Sequence, residues 1–154
     1  MKKLSLIFIF FLILVGISNA KVYSCDKISG KPSVGIFTQD CINAILTNYV
    51  TYHPNGFFII IISEEKNVYV QGTRTEGNSF LFEAVCPQYS DTITPTVVKE
   101  LIKLGWTFGD QGNYNKVIYI NEIFNRKAAG LLYKTLDNYD LEKNDIVLSY
   151  FMSD

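Results

Sequence analysis

Residues 57–86 read FFIIIISEEKNVYVQGTRTEGNSFLFEAVC, and their pattern decides the fold. Phe57 to Ile62 is continuously apolar and β-branched, the mark of a strand covered on both faces. Glu64 to Asn67 is a polar turn. Val68 to Gln71 alternates, with Val68 and Val70 on one side and Tyr69 and Gln71 on the other. Thr73 to Asn78 is a longer polar loop with Gly77-Asn78 near its tip. Ser79 to Cys86 alternates again: Phe80, Phe82 and Ala84 face one way, Leu81, Glu83 and Val85 the other. Connections this short join antiparallel strands, so the stretch predicts a three-stranded meander.

Helical patterns flank it. Ile42, Ile45, Leu46, Tyr49 and Val50 recur at three-and-four spacing, which predicts a helix over about 38–53. Pro54 pushes His53 out of helical geometry, and Asn55-Gly56 offers a left-handed stop. Further on, Thr94 suits an N-cap, Pro95 the first helical position and Gly105 the stop of a second helix. Its expected buried face is Val97, Val98, Leu101, Ile102 and Leu104. Val117 to Ile120 reads as a short fourth strand. Asn121 caps a third helix over about 122–139, with Phe124, Ala128, Leu131, Leu132 and Thr135 in one stripe and Gly130 marking close packing. Ile146 to Phe151 is a strand or a docked tail. The fold class is α+β: an antiparallel three- to four-stranded meander sheet packed by about three helices.

The chain opens with Lys2-Lys3, an apolar run from Leu4 to Ile17, and Ser18-Asn19-Ala20. That is the form of a secretory signal peptide over 1–20, with a cleavage site before Lys21. The rival readings are an uncleaved anchor and a lipoprotein. A spanning helix wants about 20 apolar residues, more than this run supplies. Val22-Tyr23-Ser24 before Cys25 is a poor lipid-attachment box. No stable membrane anchor is expected after cleavage, and the mature protein is expected to be secreted or periplasmic. Residues 21–37 read as an irregular arm, and 38–154 as one domain.

Cleavage leaves 134 of the 154 residues, enough for a single core. It removes two lysines, so 12 basic residues face 15 acidic ones and the mature chain is negative. A chain without a basic patch is not built to neutralise phosphates, and no nucleic-acid partner is expected. In an oxidising compartment, two of the three cysteines can pair. Three pairings exist. Cys25 with Cys41 is favoured because it would staple the arm to the first helix, and Cys86 is then a buried free thiol.

Chemical signatures are few. His53 is the only histidine, which works against a nucleophilic cysteine and, with no CxxC, against structural zinc. No metal or other cofactor is expected. Glu64-Glu65, Asp137, Asp140, Glu142 and Asp145 lack the spacing of a calcium loop and read as solvated. No phosphate-binding or nucleophile-elbow motif occurs. Glu83 lies between Phe82 and Ala84: if buried, it needs Arg74 or Arg126, and otherwise it occupies the more open face. Trp106 reads as a core plug whose indole nitrogen finds one partner, or as a ligand-stacking ring. Tyr49, Tyr52, Tyr69, Tyr114, Tyr119, Tyr133 and Tyr139 are too many for the core, and tyrosine suits an interface.

Four short motifs occur in order: Tyr69-Val70-Gln71, Glu83-Ala84-Val85, Leu104-Gly105-Trp106 and Asn113-Tyr114. Together they resemble the family of small bacterial domains grouped with type III secretion chaperones and YbjN-like proteins (TY-Chap), over roughly residues 38–151. The resemblance implies an α+β module that holds a partner polypeptide, often as a dimer, without a cofactor. Those chaperones work in the cytosol, whereas this chain carries an export signal. The region after Trp106 also lacks the family's frequent proline. The expected function is therefore a non-catalytic, exported protein- or peptide-binding module, with a homodimer compatible. Recognition is assigned to the sheet face and the loops 73–78 and 107–115, with Tyr69, Gln71, Glu83, Trp106 and Tyr114 as candidate partner-binding residues. The alternatives are an exported inhibitor or immunity-type protein that neutralises one enzyme or toxin, and a hydrolase using Glu83 with Asp91 or Asp110.

Overall fold

The computed structural model describes residues 22–23, 37–53, 55–63, 65–110, 112–139, 141 and 149–153. Residues 1–20, read from the sequence as a signal peptide, and Cys25 lie outside them. In chain order the elements are β1 (Val22–Tyr23), α1 (Gln39–Tyr52), β2 (Phe57–Ser63), β3 (Val68–Arg74), β4 (Ser79–Ala84), α2 (Pro95–Lys103), β5 (Thr107–Phe108), β6 (Tyr114–Tyr119), α3 (Ile120–Phe124), α4 (Lys127–Asp137) and β7 (Ser149–Ser153). The fold is α+β. Its one antiparallel sheet runs β1-β7-β2-β3-β4-β6-β5.

The meander β2-β3-β4 stands where the sequence places it, and β6 is the fourth strand. Three further strands extend the sheet beyond the three or four expected. Val22–Tyr23, read as part of an irregular arm, pairs with β7. The apolar run near the C-terminus is a strand, set between β1 and β2 rather than beside its sequence neighbours. Thr107–Phe108, read as loop, pairs with β6.

Period-two burial divides the sheet. Phe58, Ile60, Ile62, Val68, Val70, Phe80, Phe82, Ala84 and Ile118 are buried on one face. They share a core with Ile42, Ile45, Leu46 and Tyr49 of α1, Val97 and Leu101 of α2, and Ala128, Ala129, Leu132 and Leu136 of α4. The helices therefore lie on one side. At the centre of this inner face, Gly72 is flanked by Phe58 on β2 and Phe82 on β4. The two rings meet edge-to-face over it, with centroids 5.0 Å apart.

Helix ends follow from local chemistry. Thr38 Oγ1 accepts the Cys41 N–H at 3.2 Å, capping α1. The expected left-handed stop after α1 does not form: neither Asn55 nor Gly56 takes positive φ. The Gly56 carbonyl is instead held by the Tyr49 hydroxyl at 2.8 Å and the Thr73 hydroxyl at 3.3 Å, which ties the connection to the helix and to β3. At α2, Thr94 and Pro95 take the cap and first position as expected. Gly105 has φ +81°, its N–H bonds the Ile102 carbonyl, and the Trp106 N–H bonds the Leu101 carbonyl. That pair of bonds is a Schellman motif, and it explains why glycine and then a large apolar residue follow Leu104. Lys116 Nζ donates to the Leu104 and Gly105 carbonyls at 2.8 and 3.2 Å, placing a cation at the helix's negative end. Ile102, expected inside, is exposed on the far side of α2.

The expected third helix is two. Arg126, at φ +68°, breaks it between α3 and α4, and its guanidinium pairs with Asp40 at the start of α1. The break shifts Phe124 out of the stripe, so that it is exposed, while Ala128, Leu132 and Thr135 remain buried. Gly130 packs as expected: a Cβ there would sit 3.2 Å from the Gln39 side chain.

Burial also sets the tyrosines' ionisation. Tyr49 is fully buried and its hydroxyl is pushed up to about 12 from 10.0, chiefly by desolvation, with Arg74 pulling the other way. Tyr139 is driven up further by burial. A raised folded-state value means that the unfolded chain loses its phenolic proton first. This contribution to stability is complete below about pH 10 and is lost as the pH rises toward 12. A spectrophotometric alkaline titration followed in parallel by circular dichroism checks this for Tyr49 and Tyr139. The buried rings are expected to ionise only together with loss of secondary structure.

Candidate functional site

The second face of the sheet carries the polar candidates. In register, Ile59, Gln71, Glu83 and Asn115 lie side by side across β2, β3, β4 and β6. The adjacent row is Phe57, Thr73, Leu81 and Val117, and beyond it on the other side Ile61 pairs with Tyr69. None of these side chains is fully buried, and Thr73 and Val117 are exposed. An open, mostly apolar face with one polar row across its middle is the result.

The row is wired internally. Gln71 Nε2 donates to Glu83 Oε2 at 2.8 Å, so the carboxylate's partner is the cross-strand amide rather than Arg74 or Arg126. Arg126 is committed to Asp40, and Arg74 donates to the Gly77 carbonyl. Asn115 lies directly opposite Glu83 and packs against Gly109, where a Cβ would fall 2.0 Å from its amide nitrogen. Glycine is what allows the loop to approach so closely. Tyr69 bonds the Asn113 side chain; burial raises its hydroxyl's pKa, Asn113 lowers it, and the Glu83 charge nearby raises it. The side-chain Oδ1 atoms of Asn113 and Asn115 are both buried without a hydrogen-bond donor.

Of the five residues singled out from the sequence, three come together here: Tyr69, Gln71 and Glu83. The other two belong to the core. Trp106 is 1% exposed and its Nε1 donates to Thr135 Oγ1 at 2.8 Å, so it has no surface for a ligand to stack on. Tyr114 is 6% exposed, sits opposite Ala84 on the inner face and packs edge-to-face with Phe108. Burial raises its pKa. Asn113 and Asn115 were missed. The signal for Asn115 lay in the alternation of β6, which the sequence reading started at Val117, three residues too late.

The two loops assigned to recognition do not share a site. β3 runs to Arg74, so only residues 75–78 form the first loop, at the Ser79 end of β4. The second is reduced to residues 109–113 and reaches β6 at Tyr114, opposite Ala84 at the other end of β4. Six strand residues separate them, roughly 17–20 Å. Only the second loop borders the polar row.

Cys41 is disulfide-bonded and Cys86 is a buried free thiol. Among the described residues, no group of three or more His, Cys, Asp or Glu side chains gathers to hold a metal ion, and no helix is long and apolar enough to cross a membrane. Two clefts of about 810 and 600 Å³ open beside the helices, one between Asp40 and Lys134, the other between Thr94 and Asp137, and neither includes a residue of the polar row.

No family model, curated protein or solved structure matches the chain. The functional reading therefore rests on the chain's own residues.

Proposed function

We propose that this chain is an exported, non-catalytic module that binds another protein or a peptide on the open face of its sheet, in the manner of the chaperone-like domains it resembles. One observation carries the reading. Among the described residues the helices cover one face, while the other presents Phe57, Ile59, Ile61, Leu81 and Val117 around a hydrogen-bonded polar row. Apolar residues with a few fixed polar groups are the composition of a recognition surface. Half-buried tyrosine at the edge of such a surface adds contact area at low entropic cost. The mature protein, beginning at Lys21, works outside the cytoplasm on this reading, and the negative charge that remains after cleavage keeps it soluble and away from nucleic acid.

A photo-crosslinking side chain at Val117, on the open face, is expected to give an adduct with a second polypeptide in the exported fraction. The same group at Lys99 on α2 is expected to give none. Equal capture from both positions, or capture from Lys99 alone, would remove the sheet face from the function.

A further inference from the structure

We propose that the open face selects an arginine-bearing extended segment of its partner, with Glu83 as the counter-ion of the guanidinium; this rests on the binding-module reading above. Charge and donor balance at the face favour such a partner. At the outward register positions of β2, β3, β4 and β6, Glu83 is the only charged residue. Its surroundings are rich in acceptors. Among the described residues, only one oxygen of the carboxylate is matched, by Gln71 across the strand pair. Beside it the side-chain Oδ1 of Asn115 has no donor, and next to Tyr69 the side-chain Oδ1 of Asn113 has none either, in a residue only 9% exposed. Unmatched carbonyl dipoles add to the negative potential around a carboxylate.

A partner that completes this face must therefore bring donors and positive charge, set among apolar neighbours that match Ile59, Ile61, Leu81 and Val117. A guanidinium supplies five donors in a planar fork and sheds water more readily than an ammonium. Its three-carbon stem lies well along apolar surface. An acidic segment would place like charge against Glu83 at a half-buried site, which is unfavourable. The partner's strand direction follows from the row itself: an extended chain lying over the face places alternate side chains toward it, so a single arginine flanked at two-residue spacing by valine or isoleucine fits.

The test uses the mature protein and three short blocked peptides of alternating valine and threonine, differing only at a central position: arginine, citrulline or glutamate. Citrulline keeps the shape of arginine without its charge. Backbone amide shifts of Gln71, Glu83 and Asn115 locate binding, and titration calorimetry gives affinity. The arginine peptide is expected to bind the face at least about tenfold more tightly than the citrulline peptide, the scale of one charge-assisted hydrogen-bonded pair, with the glutamate peptide weakest. In Glu83→Gln, which keeps an acceptor for Gln71, the preference for arginine over citrulline is expected to disappear. If that variant does not fold, loss of the preference in the wild type at high salt serves the same purpose. Three results would overturn the proposal: equal affinity for all three peptides on the face, a preference that survives Glu83→Gln, or self-association through the face that the arginine peptide does not displace. The first of these leaves the binding-module reading standing, whereas no face shift with any peptide sinks both.

Discussion

Trp106→Ala is expected to lower the stability of the domain by about 4 kcal/mol, the largest effect of any single side chain here. Truncating a fully buried tryptophan costs about 3–5 kcal/mol through lost transfer energy and the cavity left behind. Trp106 is 1% exposed and follows the Schellman turn that closes α2, so its ring fixes where that helix leaves the core. The change also strands the Thr135 hydroxyl, which receives the indole N–H at 2.8 Å in a residue 0% exposed. For a domain of this size the loss corresponds to roughly 12–16 °C in thermal midpoint. Trp106→Phe keeps most of the volume and loses the hydrogen bond, and about half the penalty is expected. A calorimetric scan of the three proteins checks the order. A well-folded Trp106→Ala protein with an unchanged midpoint that no longer binds a partner would return this residue to the recognition surface.

Gly72→Val is expected to destabilise by about 3 kcal/mol and Gly72→Ala by about 2, although both replace glycine with a better strand former. By propensity alone either change in a strand interior would add roughly 0.5–1 kcal/mol of stability. The surroundings reverse the sign. A Cβ at Gly72 would lie 2.5 Å from Phe58 Cε1 and 2.6 Å from Phe82 Cδ1, both atoms of rings that are 0% exposed. The Phe58 ring also meets Tyr49, with centroids 5.1 Å apart, and the Phe82 ring meets that of Phe58, so neither retreats freely. Urea denaturation of the variants gives the loss directly. A double-mutant cycle adds the mechanism: Phe58→Leu should cost less in the Gly72→Ala background than in the wild type, since it relieves the clash. Additive losses would show that the rings yield without strain.

These two residues illustrate what the sequence could and could not disclose. Trp106 was legible as a plug because Leu104-Gly105-Trp106 is a helix stop followed by an apolar residue, a local pattern with a local cause. Gly72 was not, because its constraint comes from two rings on two other strands. The same division runs through the fold. The meander and the cap at Thr94 are set by neighbours in sequence, and they stand where expected. The break between α3 and α4 falls on an arginine in left-handed geometry, a residue type with no preference for it, held by Asp40 from the start of α1. At the candidate site, alternation paired Tyr69 with Gln71 on one side of their strand and set Glu83 apart from Phe82 and Ala84; the strand register joins the two sets on one face. The partner of Glu83 was missed because a carboxylate suggests a cation, whereas strand register put an amide directly opposite. Tyr114 was misread because aromatic content marks both cores and interfaces, and only the pairing with Ala84 tells them apart.

The place of β7 in the strand order bears on how the chain reaches its destination. β2 gains its second neighbour only from residues 149–153, almost a full domain length later. Until that strand emerges from the ribosome, one edge of FFIIIIS stays bare and the sheet stays incomplete. Pairing so distant in sequence is slow to form. On the exported reading proposed above, a polypeptide threaded unfolded through a translocase gains from such a delay, because the strand that completes this side of β2 follows it by almost a full domain length. The same delay leaves an aggregation-prone edge open during synthesis, so a holding chaperone is expected to engage the nascent chain at β2.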